Sequence, residues 1–459
     1  MAERKKRTRS RPSRADGGKA RRRMPFRRRK PPETPSPTIR YCDVVMKGGI
    51  TSGVVYPMAT VELAKVFHFR NIGGTSAGAI AAAYTAAAEH ARDAESGGFE
   101  ALAALPGWFA ESVRRDRKSN LFALFQPAPA IAPFFNVFAA TLRGRRNRVG
   151  RAVNVIAAAL RNFPLVALLG SLPALLLIAV AAVDGSGLSF WALIAAAVAL
   201  GLVGIVMAIL GAMTRIVLRK IPANFYGMCS GFQEKPRQGM PLTNWVADTV
   251  DRIAGRDPEA DPPLTFGDLW DGDGGNGHGV NLQMMTTNLT QGRPLRVPFE
   301  DPGEKGIGQY YFDPAELRRL FPARLVDWMV DHANLTDVTA KFAPLVPLPL
   351  AKDMPVAVGV RLSLAYPVLL SAVPLYTIDW TRDHTRTPPK PERCWFSDGG
   401  IASNFPVHFF DQPLPRWPTF AINLRPPHVD LPDDEVWMPR SYRERGVAIW
   451  HRFDADGRP

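Results

Sequence analysis

Gly74-Thr75-Ser76-Ala77-Gly78 sets a serine between two glycines in the spacing G-x-S-x-G, at a point where the pattern changes. The preceding stretch KVFHFRNI reads as a short strand and the following AGAIAAAYTAAAEHAR as a helix. On a tight strand-to-helix turn the flanking glycines let backbone pack closely while the serine projects. The free N–H groups at the start of the helix favour negative charge developing beside it. That is the placement of a nucleophile, although an ordinary Gly/Ser turn has the same composition. A nucleophilic serine also needs a group to take its proton and donors to hold an oxyanion.

Two further glycine clusters are candidates for those parts. In DVVMKGGITSGVVYP, Gly48, Gly49 and Gly53 follow a predicted first strand, where a glycine loop can turn backbone N–H groups toward a substrate oxygen. Such a loop can also cradle phosphate, but neither G-x-x-x-x-G-K-[ST] nor G-x-G-x-x-G occurs here. In CWFSDGGIASNFPV, Asp398-Gly399-Gly400 reads as a crowded turn holding a carboxylate, or as an ordinary turn.

Taken together and in this order, the three elements resemble the patatin-like phospholipase family. The resemblance runs from about Tyr41 to Arg425 and takes in PLTFGDLW (Pro263–Trp270), TTNLTQGRP (Thr286–Pro294), VRLSLAYPVLL (Val360–Leu370) and DGGIASNFPV (Asp398–Val407). It implies that Ser76 is the nucleophile, that Asp398 is its base, and that Gly74 and Gly78 form the elbow. Gly48 and Gly49, with the Ala77 N–H, would make the oxyanion hole. It further implies a lipid acyl ester as substrate, no metal and no organic cofactor, and an α/β fold of three layers, α/β/α, around a mostly parallel central sheet. The usual glycine loop resembles G-G-G-x-[RK]-G, whereas this chain has Gly48-Gly49-Ile50-Thr51-Ser52-Gly53, with its basic residue displaced to Lys47. Two other readings of the serine remain: a Ser-His-Asp triad drawing on His408, His428 or His451, and an inactive membrane scaffold that keeps the fold. The run DGDGGNGHG (Asp271–Gly279) lacks the spacing and terminal glutamate of a calcium loop and reads as a glycine loop.

The elements that must bring Ser76 and Asp398 together span 322 positions and enclose an apolar insertion. FPLVALLGSLPALLLIAVAAV (Phe163–Val183) and LSFWALIAAAVALGLVGIVMAILGAM (Leu188–Met213) contain no charged residue, and each is long enough to cross a bilayer as a helix. Only DGSG (Asp184–Gly187) separates them, which predicts a helical hairpin. Arg143, Arg145, Arg146, Arg148, Arg151 and Arg161 precede it, and Arg215, Arg219 and Lys220 follow. By the positive-inside rule both outer ends are cytoplasmic. Upstream, IAPFFNVFAATLRGRRNRVGRAVNVIAAALRNF mixes apolar and basic residues at helical spacing, as a surface-lying helix or an ordinary amphipathic one would. After the hairpin, GVNLQMMTTNLTQG and MPVAVGVRLSLAYPVLL read as strand-bearing, DPAELRRLFPARLVDWMV as a helix, and TFAINLRP as a late strand.

The 459-residue chain carries a net charge of +15, and residues 1–30 alone account for +13, with fifteen Lys and Arg against two acids. So charged a tail, with few large apolar side chains, cannot bury enough surface to order itself. It lacks the apolar run of a secretory signal and suits anionic lipid headgroups, nucleic acid or plain solvent. Three scattered cysteines, Cys42, Cys229 and Cys394, suggest no disulfide framework and a reducing compartment. The predicted organisation is a basic tail and Pro-rich linker over 1–40 and a catalytic domain over 41–425. The domain is interrupted by a membrane-associated insertion over 131–220, with spans at 163–183 and 188–213, and a polar tail follows over 426–459. The protein is thus expected to be integral to a membrane, with its catalytic domain on the cytoplasmic side and the bilayer and its lipids as partners.

Overall fold

The computed structural model describes residues 39–49, 52–110, 120–142, 148–184, 188–234, 239–271, 279–303, 306–336, 339–382, 384 and 388–423. Outside them lie the basic tail, Ile50 and Thr51 of the glycine loop, Arg143, Arg145 and Arg146, residues 185–187 of the hairpin turn, and residues 272–278 of the glycine run. The C-terminal tail from 424, with His428 and His451, also lies outside them.

In chain order the elements are β1 (Tyr41–Met46), α1 (Ser52–Ala64), β2 (His68–Gly74), α2 (Ala77–His90), α3 (Gly98–Ala110) and α4 (Asn120–Ala123). Then come α5 (Ala132–Leu142), α6 (Arg148–Asn162), α7 (Pro164–Asp184), α8 (Leu188–Arg215) and α9 (Ile221–Ala223). The chain returns to strands with β3 (Gly227–Cys229), α10 (Leu242–Ile253), α11 (Phe266–Asp271), β4 (Asn281–Asn288), β5 (Arg293–Val297) and β6 (Tyr310–Phe312). It continues through α12 (Pro314–Leu317), α13 (Ala323–Asp331), β7 (Val346–Pro347), α14 (Val356–Ser363), β8 (Val368–Leu370), β9 (Val373–Thr377), β10 (Glu392–Asp398) and β11 (Thr419–Ile422).

The fold is mixed α/β. The main sheet runs β11-β1-β2-β4-β10-β9-β6-β7, with β5 paired to β4. Its site-bearing part is parallel: β11, β1, β2 and β4 lie side by side in one direction. From β4 onward every pairing is antiparallel, including that of β10. The expectation of a mostly parallel sheet thus holds for the half that carries Ser76, while Asp398 arrives on an antiparallel strand. In β1, Cys42 to Met46 are all buried, as befits a parallel strand covered on both faces.

Helix α2 is buried along all fourteen residues. Its eight alanines make it thin enough to fit between the sheet and α1, α3, α10 and α14. Aromatic rings fix it from the outside: Tyr84 meets Trp245 edge-on at 5.6 Å, and Trp245 stacks on Trp108 at 5.1 Å. Ring pairs of this kind contribute about 0.5–1.5 kcal/mol each beyond their buried area.

Two readings of the sequence are corrected. MPVAVGVRLSLAYPVLL was read as strand-bearing; it carries strand only in β8 at its end, and its longest element is helix α14. All eight residues of α14 are buried, so the run has no polar face and its periodicity cannot separate helix from strand. The single helix expected over Asp313–Val330 is two. Asp313 caps α12 by accepting from the Ala315 N–H at 2.8 Å, and Pro322, which cannot supply an interior N–H, starts α13 instead.

Helices α7 and α8 are long and apolar enough to cross a membrane. Only 11% and 17% of their apolar windows are buried in the protein, which is not how core helices of a soluble fold sit. They pack on each other through small residues. A Cβ on Gly170 would come within 2.6 Å of Gly204 O, one on Gly204 would overlap Gly170 O, and one on Gly201 would sit 3.0 Å from the Ala174 methyl. This close backbone approach is a usual basis for helix association in lipid. Beyond α8 the chain enters β3, which pairs parallel with β8. Ser371 just after β8 donates its N–H to Cys229 O at 2.9 Å. The hairpin is therefore tied to the segment that follows α14, beside the candidate site.

Candidate active site

Ser76 lies between the end of β2 and the start of α2 with φ 56° and ψ −130°. A non-glycine residue held there stores strain of about 1–3 kcal/mol and persists only where its surroundings enforce it. Here they do. Gly78 N–H donates to Thr75 O at 2.8 Å, Ala79 N–H to Ser76 O at 2.9 Å, and Ser76 N–H to the Ser363 hydroxyl at 3.2 Å. A serine at a helix N-cap ordinarily turns its oxygen back onto its own helix. Ser76 makes no such bond, and its hydroxyl is free for another partner.

That partner is Asp398. The Ser76 hydroxyl donates to Asp398 Oδ2 at 2.9 Å, and the two side chains are 6% and 3% exposed. The other carboxylate oxygen accepts the Gly400 N–H at 2.7 Å. Burial raises the Asp398 pKa above the usual aspartate range, and the hydrogen bonds from Gly400 and Ser76 offset part of that rise. A buried carboxylate that accepts a serine hydroxyl and a backbone N–H, with no cation bonded to it among the described residues, can take a proton from that serine.

The glycines serve by absence of a side chain. A Cβ on Gly74 would overlap Gly78 O, and one on Gly78 would overlap Met46 O and approach Lys47 O to 2.9 Å. A Cβ on Gly399 would overlap Met285 O and lie 2.8 Å from Thr75 Cγ2. The elbow is therefore pressed against the end of β1 on one side, and the Asp398 turn is pressed against β4 and the elbow on the other.

Gly48 sits against the serine, since a Cβ there would lie 3.0 Å from Ser76 Cβ. Its N–H is donated to Asn404 O at 2.8 Å. Gly48 thus contributes close approach, and its N–H is engaged elsewhere. The Ala77 N–H is the first of α2 and has no acceptor within its own helix. Gly49 follows Gly48 in the same loop, and Ile50, whose effect on that loop was in question, lies outside the described residues.

Several positioning residues were not singled out in the sequence. Ser363 receives the Ser76 N–H, while Ala365 O accepts both the Asp398 N–H at 3.0 Å and the Ser397 hydroxyl at 2.8 Å. One short segment at the end of α14 therefore brackets both halves of the pair. From β4, Thr287 donates its hydroxyl to Asp398 O at 3.0 Å. The available signals were slight: a serine inside the apolar run LSLAY, and an asparagine at the end of DGGIASN. Of the late histidines, His408 is exposed with its ring against Phe409 at 5.2 Å, and the Ser76 hydroxyl is directed to Asp398.

No family model matches the chain. The solved structure of VipD from Legionella pneumophila is similar over 79% of this chain and 46% of that one, at 14% identity and a TM-score of 0.26, a likeness that carries no argument. The RpoH suppressor of Rhizobium meliloti (strain 1021) is 36% identical over 472 residues, an alignment covering 88% of this chain and 69% of that protein. On that similarity the chain belongs to the family of the RpoH suppressor.

Proposed function

We propose that this protein is a membrane-associated lipid acyl hydrolase, of phospholipase A or lysophospholipase type, working through a Ser76–Asp398 dyad and an acyl-enzyme. The observation that carries the reading is the 2.9 Å hydrogen bond from a strained, buried serine to a buried carboxylate. The name of the related RpoH suppressor states no chemistry and neither adds to the reading nor opposes it.

In the proposed reaction the Ser76 oxygen attacks the ester carbonyl as its proton passes to Asp398 Oδ2. The carbonyl oxygen becomes an oxyanion against the Ala77 N–H, beside the glycine loop; the Gly48 N–H, expected as a donor, is held by Asn404 O and lends only close approach. Collapse of the oxyanion expels the alcohol, which takes the proton from Asp398. Water then attacks the acyl-enzyme, Asp398 receives its proton, and Ser76 leaves with that proton restored as the fatty acid departs. A carboxylate is a weak base for a hydroxyl, and burial favours this transfer by raising its proton affinity.

The same proposal takes the chain as patatin-like, with that family's three-layer α/β/α arrangement, and takes α7 and α8 as membrane-spanning. Exposed Arg161 before the hairpin and exposed Arg215, Arg219 and Lys220 at its exit support cytoplasmic outer ends. The hairpin keeps the dyad at a surface where acyl esters are concentrated, which supports lipid as the substrate class.

Two measurements test the chemistry. Membranes incubated with the wild-type protein should gain free fatty acid and the matching deacylated lipid by mass analysis, and the Ser76→Ala protein should produce neither. Equal lipid profiles would leave a membrane scaffold. Second, the acid limb of the kcat/KM profile should lie above the usual aspartate range. Asp398 must be ionised to act as base, and its raised pKa means that activity is lost earlier as pH falls. An acid limb at or below the ordinary aspartate value would remove Asp398 from that role.

A further inference from the structure

Helix α6 has two apolar faces, and the protein covers one of them. Val155, Ala158 and Ala159 pack against the core. On the other side Val149, Val153, Ile156 and Leu160 stand between 43% and 68% exposed. Their spacing of four, three and four residues makes one row along the helix. Exposed Arg161 lies to one side of this row, about 110° round the helix, while exposed Arg151 lies on the opposite side. On α5, which packs against α6, Phe138 is exposed as well.

The row ends where the hairpin begins. Phe163 N–H donates to Ala159 O at 3.0 Å and Ala167 N–H to Phe163 O at 2.9 Å, so helical bonding runs from α6 into α7 across Pro164. The end of α6 is held to α5 by the Asn136 side chain, which donates to Asn162 Oδ1 at 2.8 Å. At about 1.5 Å per residue, the whole of α6 lies within about 24 Å of chain from the first residue of α7. The outward leucines of α7 (Leu165, Leu168, Leu169, Leu172) carry the exposed apolar surface onward.

We propose that the outer row of α6 beds into the headgroup–acyl boundary of the leaflet that α7 enters, with Arg161 at the lipid phosphates. This rests on the reading of α7 and α8 as membrane-spanning. Continuity with the lipid-facing surface of α7 and Arg161 beside the row, at the end nearest α7, select a bilayer surface as the occupant. A hairpin alone leaves the body free to swing about its stalk, whereas a helix lying in the interface fixes its height and tilt. The body that carries Ser76 and Asp398 is then held against the lipid it acts on.

The test uses the full-length protein in phosphatidylcholine–phosphatidylglycerol vesicles whose acyl chains are brominated near the carbonyl or near the methyl end. A nitrobenzoxadiazole maleimide label is placed at Ile156→Cys, at Asn154→Cys off the row, or at Leu172→Cys on α7. The native Cys42, Cys229 and Cys394 are buried, and burial raises their thiol pKa values, that of Cys229 to about 12, so they do not compete for the label at neutral pH. The proposal expects shallow bromines to quench the label at 156 several-fold more than deep ones, deep bromines to quench at 172, and little quenching at 154. Quenching at 172 with none at 156 would overturn the interfacial placement and leave the span intact. If the label at 156 were then also blue-shifted, a second copy or another protein would be the cover. Deep quenching at 156 would put α6 inside the span, and no quenching at either 156 or 172 would remove the spanning reading itself.

Discussion

Asp398→Asn should lower ester hydrolysis by about 10²–10⁴-fold without lowering thermal stability. Asparagine matches aspartate in size, and its oxygen can still accept the Gly400 N–H that now reaches Asp398 Oδ1 at 2.7 Å. What it cannot do is take a proton. Its amide N–H₂ would face the Ser76 oxygen where Oδ2 now accepts at 2.9 Å. At 3% exposure of Asp398 there is little room for water to stand in as the base.

The stability half of this result follows from the sign of the pKa shift. Burial raises the Asp398 pKa, so between the ordinary aspartate value and the raised one the folded state binds more protons than the unfolded state. Stability is then fully present below the unfolded value and is lost as pH rises through the folded one. The ionised carboxylate is a cost to the fold near neutral pH, and asparagine removes it. Activity lost at an unchanged or higher melting temperature is therefore the signature of a catalytic carboxylate. Ser76→Ala should reach the same floor, and the double variant should be no slower than the slower single one, because the two groups act as one unit. Residual turnover in Asp398→Asn that disappears only on changing a late histidine would replace the dyad by a triad.

The parts of this site that were legible in the sequence are those whose physics is local. Gly74, Gly78 and Gly399 mark places where a Cβ would strike backbone, and only glycine satisfies that demand, so the demand appears in the sequence. The hairpin was legible for a similar reason: a long uncharged run has few soluble alternatives. Ser363 and Asn404 were not: each acts on a partner hundreds of positions away, Ser363 through a hydroxyl that nothing nearby distinguishes and Asn404 through a backbone carbonyl that any residue would supply. Ser363 meets Ser76 across 287 positions and Asn404 meets Gly48 across 356. Helix α14 was misread because complete burial erases the amphipathic period. Which pairings are antiparallel, those from β4 through β10 to β7, was not legible because strand direction is set mainly by the connections.

Gly78→Ala should cost at least about 10²-fold in hydrolysis, although alanine is the better helix former. By propensity alone the change would stabilise α2 by about 0.5–1 kcal/mol. That is the outcome expected for Gly107→Ala in α3, where an added Cβ meets nothing within 4 Å. At Gly78 the new methyl would overlap Met46 O and lie 2.9 Å from Lys47 O and 3.0 Å from Lys47 C. These are backbone atoms at the end of β1, paired with β2 on one side and β11 on the other, so they cannot swing aside as a side-chain tip would. Either the first turn of α2 moves away, taking Ser76 and the Ala77 N–H with it, or the end of β1 moves. The second course shifts Gly48, which lies against Ser76 and holds Asn404 through its N–H. Both routes act on the serine or its oxyanion donors while leaving the distant core untouched. The expected pattern is a stability loss of about 1–3 kcal/mol, typical of overpacking, with a much larger loss of rate. Measured side by side, Gly107→Ala should keep full activity. Equal activity in the two variants would mean that the contact between the elbow and β1 does not set the geometry of the nucleophile.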